Sequence, residues 1–237
     1  EYLIKAVNAT FPPVKLKVRD IESSWAGLRP LIHEDGKSAS QLSRKDEIFE
    51  SGSGLISIAG GKLTGYGKMA ERVVNLVVRK YFPSDKIKKC QTSRIRLAGG
   101  AFHSDRDVRK YKLALTKSLK IYNLSDITAD YLVSNYGKQT DKIIDYFRGL
   151  EEPDNELRLL KAELMFAVEH EMVTSLVDFF VRRTGLCFFY VARVSQYKAA
   201  IAGFMAALIG LDPEVASRQM QELDHFISQA RTFGPAK

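Results

Sequence analysis

The sequence predicts an α+β chain in two parts, a mixed segment with a hairpin and a strand-turn-helix over residues 1–89, then an all-α domain over 90–237. Three observations carry this. Period-two alternation with Gly/Ser turns is confined to the first 90 residues, while capped apolar series at helical spacing fill the rest. Charge divides at the same place: residues 1–89 hold 16 Lys and Arg against 10 Asp and Glu, and residues 90–237 hold 20 against 18, so most of the net +8 lies in the first part.

Tyr2, Leu3, Ile4 and Val7 form the apolar side of a short amphipathic helix that Pro12-Pro13 stops. Val14, Leu16 and Val18 alternate with Lys15, Lys17 and Arg19, either as a half-exposed strand or as an extended lead-in. Residues 21–32, through Trp25 and Leu28 to Pro30, read as a strand leading into the polar loop 33–42. Glu47–Glu50 and Leu55–Ala59, joined by Ser51-Gly52-Ser53-Gly54, predict a β-hairpin. Gly60-Gly61-Lys62 follows, and apolar residues at 69, 70, 73, 74, 77 and 78 predict a helix from Thr64 to Tyr81.

Beyond residue 90, Ser104-Asp105 caps a helix over 106–121, Ser125-Asp126 caps one running to Gly137, and Asp141–Arg148 forms a third, stopped by Gly149. Apolar residues at 157, 160, 164, 168, 172, 176, 179 and 180 predict one long helix over Leu157–Thr184, ended by Gly185. Val194–Ile209 and Asp212-Pro213 to Arg231 complete a bundle of about six helices.

With 45% hydrophobic and 10% aromatic residues and a mean hydropathy of -0.17, the chain is neither disordered, collagen-like nor a coiled coil. The longest nearly apolar stretch, Ala199–Leu211, falls short of the ~20 residues that span a bilayer. Cys90 and Cys187 form no CxxC pair, which fits a reducing compartment and supports neither a disulfide framework nor a zinc site. A start at Glu1 without a charged-then-apolar leader reads as a piece of something longer. The basic excess points to anionic partners, but Lys86–Lys89 and Arg106–Lys112 read as a solvated loop and a helix face, so nucleic acid is not the expected partner.

Gly60-Gly61-Lys62 sits at a strand-to-helix turn, where backbone N–H groups attract anions. It is not a nucleotide-triphosphatase loop: GxxxxGK[ST] fails, because Ile56 stands where the first Gly belongs and Leu63 follows the Lys. What remains suits a phosphate, a carboxylate or the electron-rich edge of a cofactor ring, or else a tight turn with a solvated Lys. Arg29, between Leu28 and Pro30, needs an anionic partner, and Arg44 in Ser43-Arg44-Lys45-Asp46 is a second fork suited to phosphate; each is a ligand contact or a structural ion pair. Glu169-His170-Glu171 lacks the second His of HExxH, since position 174 is Thr, and no metal site is expected. There is no GxSxG elbow.

Ser23-Ser24-Trp25-Ala26-Gly27-Leu28-Arg29-Pro30-Leu31, then Ser43-Arg44-Lys45-Asp46, then Gly54 to Thr64 and Met69-Ala70-Glu71, together resemble the FAD-dependent glycerol-3-phosphate dehydrogenases, particularly those of Bacillus-like bacteria. Glu169-His170-Glu171-Met172 and Arg182-Arg183-Thr184 extend the resemblance into that family's C-terminal helical domain. The family's GxGxxG dinucleotide fold has no counterpart here, so the resemblance implies a C-terminal fragment: residues 1–89 from the FAD/substrate-binding region, and 90–237 as the helical domain. It implies oxidation of sn-glycerol 3-phosphate to dihydroxyacetone phosphate with FAD as cofactor. Electrons would pass to a membrane quinone from a cytoplasmic enzyme held peripherally on the inner face of the membrane, with a homodimer as a compatible assembly. By motif match, Arg29 and Arg44 hold the substrate phosphate, Lys62 stands beside substrate and flavin as the catalytic candidate, and Gly61, Lys62, Leu63 and Thr64 face the flavin. The general base belongs to upstream residues. Gly67 departs from the family, which has Arg there. The short span between Pro30-Leu31 and Ser43-Arg44 favours a dehydrogenase over an oxidase that uses O2. The alternative reading is a helical module for dimerisation or membrane docking, without catalysis of its own.

Overall fold

The computed structural model describes residues 1–28, 32, 36 and 46–233. In chain order its main elements are α1 (Tyr2–Thr10), β1 (Asp46–Glu50), β2 (Ile56–Gly60), α2 (Tyr66–Tyr81), α3 (Asp105–Leu119), α4 (Asp126–Tyr136), α5 (Thr140–Gly149), α6 (Asn155–Glu171), α7 (Leu186–Phe189), α8 (Val191–Ile209) and α9 (Pro213–Arg231). Two compact units emerge: Glu1–Trp25 with Ala98–Lys237, and Ala26–Leu97 between them. The sequence reading places one boundary at 89/90, whereas contacts join the first 25 residues to the helical part.

The helical unit has a core in two clusters that share α6. Leu160, Leu164 and Ala167 face one, with Phe179, Phe180, Val194, Ile201 and Leu223. Leu159, Ala162 and Phe166 face the other, with Leu119, Leu132, Ile143 and Phe147. Apolar residues on both sides make α6 the central helix of the unit. Its start is capped by Asp154, which accepts from the amides of Glu156 and Leu157, and α9 is capped in the same way by Asp212.

The single helix expected over 157–184 is broken. The chain leaves α6 at Met172, in the left-handed region at φ 59°, and Val173 N–H closes back on the Ala167 carbonyl. Gln219 of α9 then holds the next residues, donating to the Thr174 carbonyl (3.0 Å) and accepting from the Leu176 amide (3.2 Å). A π-helical turn over Asp178–Arg183 follows, and Arg183 reaches back to donate to the Glu171 carbonyl (2.7 Å).

Helix α1 forms as its pattern predicts and stops before Pro12-Pro13. No strand follows: Asn8 brackets the next stretch, its side chain donating to the Leu16 carbonyl and accepting from the Leu16 amide, and after an extended Lys17 the chain makes a 3-10 turn over Val18–Asp20. No strand forms over the described residues 21–28. Their polar groups are satisfied by helix ends instead: Ser23 Oγ donates to the Phe188 carbonyl, Ser24 N–H donates to the Ala230 carbonyl (2.8 Å), and Trp25 stacks on Phe188 with centroids 4.6 Å apart.

The other unit contains the expected hairpin. β1 and β2 pair antiparallel, with Glu50 opposite Ile56 and Asp46 opposite Gly60. The turn is closed by Ser51 N–H to the Leu55 carbonyl (2.9 Å) and by Leu55 N–H to Ser51 Oγ (3.1 Å). α2 carries its half-buried residues at 67, 69, 71, 73, 76, 77 and 78, so the predicted stripe holds at 69, 73, 77 and 78 while Ala70 and Val74 are exposed.

Candidate functional site

The segment from Gly60 to Tyr66 is built by three constraints. The ladder ends at Asp46 and Gly60, and Gly60 and Gly61 then both take positive φ, 77° and 84°. Such angles suit residues without a Cβ. A Cβ on Gly61 would lie 2.7 Å from Met69 Sδ and 3.2 Å from Asp46 Cβ, so the backbone here is pinched between α2 and β1. Ion pairs fasten the same elements: Arg72 of α2 to Asp46 of β1, and Lys80 to Glu50.

Lys62 is extended at φ -101° and ψ 142°, and its carbonyl accepts the Gly65 amide (2.8 Å) as the first bond of a 3-10 turn over Leu63–Gly65 that runs into α2. Neither start is capped by a side chain, and neither first turn carries an acidic residue. The positive end of the helix thus has no carboxylate in its own first turn, while Glu71 beyond it is bound to Lys68 and Asp46 beside Gly61 to Arg72. Lys62 is exposed and makes no ion pair among the described residues; Leu63 is 89% exposed, and Thr64 is exposed too. Gly61, Lys62, Leu63 and Thr64 therefore present one continuous cationic loop. Arg29 and Arg44, the expected phosphate forks, lie outside the described residues.

Beside the loop is an open cleft of about 370 Å³, lined by Thr64, Gly67, Lys68, Cys90 and Thr92 among others. At Gly67 a Cβ would meet nothing within 4 Å, so the position at which the resemblance leads one to expect Arg has room for a side chain. Lys68 is held above the ordinary lysine range by its hydrogen bond to Glu71 (2.6 Å), leaving Lys62 as the unpaired ammonium of this loop among the described residues. Sequence reasoning missed the framework residues Asp46, Met69 and Arg72 as supports of the loop. The register of the hairpin, countable from its turn, was the available signal for Asp46.

Three comparisons agree on the kinship of the chain. A family model for the C-terminal domain of alpha-glycerophosphate oxidase matches residues 90–216. The aerobic glycerol-3-phosphate dehydrogenase of Bacillus subtilis is 39% identical over 97% of this chain, and that of Staphylococcus saprophyticus is 37% identical over 98%. In both cases the chain spans 42% of the relative's length. The solved structure of the glycerol-3-phosphate dehydrogenase from Bacillus halodurans complexed with FAD superposes with a TM-score of 0.80 at 37% identity, covering 99% of this chain and 46% of that one.

Proposed function

This chain belongs to the glycerophosphate oxidase and dehydrogenase family through its C-terminal helical domain, and from that membership we propose that it is the C-terminal part of an FAD-dependent glycerol-3-phosphate dehydrogenase. It contributes half of the substrate site and the loop that faces the flavin. The observation that carries this is the two-glycine bend delivering an unpaired Lys62 to an uncapped helix start. That loop fits the cofactor: exposed backbone N–H groups at Gly61, Leu63 and Thr64 and the Lys62 ammonium suit the electron-rich edge of a flavin pyrimidine ring. FAD, when bound, supplies the hydride acceptor for C2 of glycerol 3-phosphate. By motif match, Arg29 and Arg44 would hold the dianionic phosphate, a role to which guanidinium groups are suited, and so fix the carbon skeleton. Lys62 stands by the reacting end, stabilising negative charge as it develops. The Gly60–Gly61 pinch keeps that lysine from swinging with a flexible loop. The finer parts of the reading are transfer of electrons to a quinone, peripheral contact with the inner face of the membrane, and pairing into a homodimer.

The test joins this chain to the dinucleotide-binding half of the Bacillus subtilis relative and follows dye-coupled oxidation of glycerol 3-phosphate. Lys62→Met should lower kcat/KM by about 10² to 10³, as removal of a charge-stabilising donor does elsewhere, with FAD absorbance showing that the fold is retained. The 237-residue chain alone should neither retain one equivalent of FAD nor turn over. Rates within twofold of the parent for both Lys62→Met and Arg29→Met would overturn the assignment and favour an interaction module.

A further inference from the structure

The helical unit contains a charged cluster that the proposed reaction does not use. Glu163, halfway along α6, is completely buried between the two hydrophobic clusters. One carboxyl oxygen accepts from Tyr136 Oη of α4 (3.0 Å). The other, Oε2, is buried with no hydrogen-bond partner among the described residues, and so is the Tyr131 hydroxyl of the same helix. From α8, Arg193 acts on Glu163 electrostatically. Its Nη2 pairs with Glu156 Oε2 (2.5 Å) at the half-exposed rim of α6, yet neither that buried Nη2 nor the buried Nε makes a hydrogen bond among the described residues. The guanidinium therefore has one ion-pair partner and two buried donors without a hydrogen bond, while the buried Glu163 carboxyl, itself with an unpartnered oxygen, feels its charge.

We propose that Glu163 and Arg193 form a proton-operated switch inside the helical unit: loss of the Glu163 proton draws the Arg193 guanidinium inward from Glu156, and return of the proton releases it. The groups facing Glu163 are Tyr131 and Tyr136 from α4, Arg193 from α8 and Glu156 on its own helix; Glu171 acts on Tyr136, and Asp154 and Tyr197 flank Arg193. An ionised carboxylate in this site has lost its water, and two phenols and one shared guanidinium replace only part of it. Desolvation outweighs those stabilising neighbours, and the carboxyl is pushed up to about 7 from 4.5. The sign follows. The folded chain holds this proton more tightly than the unfolded chain, so the contribution of Glu163 to stability is complete below about pH 4.5 and falls as pH rises towards 7. Because α6 borders both halves of the core, a new charge at its centre is felt by α4 and α8 together.

The experiment is a pH titration of the full chain, carrying ¹³C-labelled glutamate carboxyls and ¹⁵N-labelled arginine, from pH 4 to 9. One glutamate should titrate near pH 7, and the Arg193 Nε–H signal should move with the same midpoint. Arg193→Gln should raise that midpoint and Glu156→Gln lower it, opposite shifts that a merely space-filling Glu163 does not produce. In denaturant melts, the unfolding constant of the parent should rise by about 300-fold more than that of Glu163→Gln between pH 4 and pH 8, the ratio that 2.5 pKa units imply. If no glutamate titrates above pH 6, or if Arg193 is silent while Glu163 titrates, the switch is refuted, whether or not Glu163→Gln folds.

Discussion

Gly61→Ala tests the geometry that places Lys62. An L residue held at the φ of 84° found here costs about 1–2 kcal/mol. The new methyl carbon would lie 2.7 Å from Met69 Sδ and 3.2 Å from Asp46 Cβ. These neighbours differ in how they yield. Met69 can rotate away at roughly 0.5–1.5 kcal/mol for leaving its rotamer, but Asp46 is fixed by its ladder position opposite Gly60 and by Arg72. Alanine's smaller unfolded-state entropy offsets about 0.4–1 kcal/mol, so the net loss is about 1–3 kcal/mol, confined to the hairpin and α2.

Amide hydrogen exchange over residues 56–70 of the full chain reads that loss as a drop in opening free energy. A companion variant, Gly61→Ala with Met69→Ala, separates the terms, since the shorter side chain removes the clash and leaves the dihedral cost. Partial recovery is expected. Protection unchanged within 0.5 kcal/mol in the single variant, or full rescue in the double, would refute the claim that the bend demands glycine.

Two further substitutions probe other parts of the fold. Gly67→Arg meets open space in the first turn of α2, where a helix-propensity gain of about 0.5–1 kcal/mol is offset by about 0.3–1 kcal/mol for a cation at the positive helix end, so it should be tolerated with stability nearly unchanged in the same exchange experiment; loss of α2 protection would contradict this. Gln219→Leu removes the clamp on Thr174 and Leu176 and leaves the buried Leu176 amide unpaired, the Thr174 carbonyl being open to water, so it should cost about 1–3 kcal/mol in urea unfolding; a change below 0.5 kcal/mol would show that the break in the helix holds itself.

The hairpin was legible because its signal is local: alternation on either side of a Ser/Gly turn sets both strands and, by counting outward from Glu50 and Ile56, the meeting of Asp46 with Gly60. The break at Met172 was not. Apolar spacing runs through it unbroken from 157 to 180, and what ends α6 is Gln219, a side chain 45 residues from the Thr174 carbonyl it binds. Over the described residues 21–28 the expected strand failed for a related reason: the Ser23 hydroxyl and the Ser24 amide find partners on α7 and in the last turn of α9, which no local pattern announces. Glu163 was hidden by the stripe 157, 160, 164, 168, which marks one buried face of α6; only Leu159, Ala162 and Phe166, packed on the other side, show that the residue between them has no route to water.

For the candidate site, residue types were legible and mechanical support was not, and burial explains why the distinction matters. The helical unit closes its core with residues such as Phe147, Phe166, Phe179 and Phe180 at 0% exposure. In the hairpin unit no described residue is fully buried, and Phe49, Leu55, Val74 and Tyr81 remain largely open. Its described part, a two-stranded ribbon with a helix, gains little from burial and opens at lower free energy than a packed bundle. The Lys62 loop is therefore held chiefly by the pinch at Gly61 and the ties from Arg72 to Asp46 and Lys80 to Glu50. A global melt, dominated by the helical unit, would miss damage to these supports, whereas residue-level exchange reports it directly. Weak exchange protection over 46–81 beside strong protection in α6 is the pattern this arrangement requires; equal protection in both would mean that the loop draws its rigidity from contacts other than these.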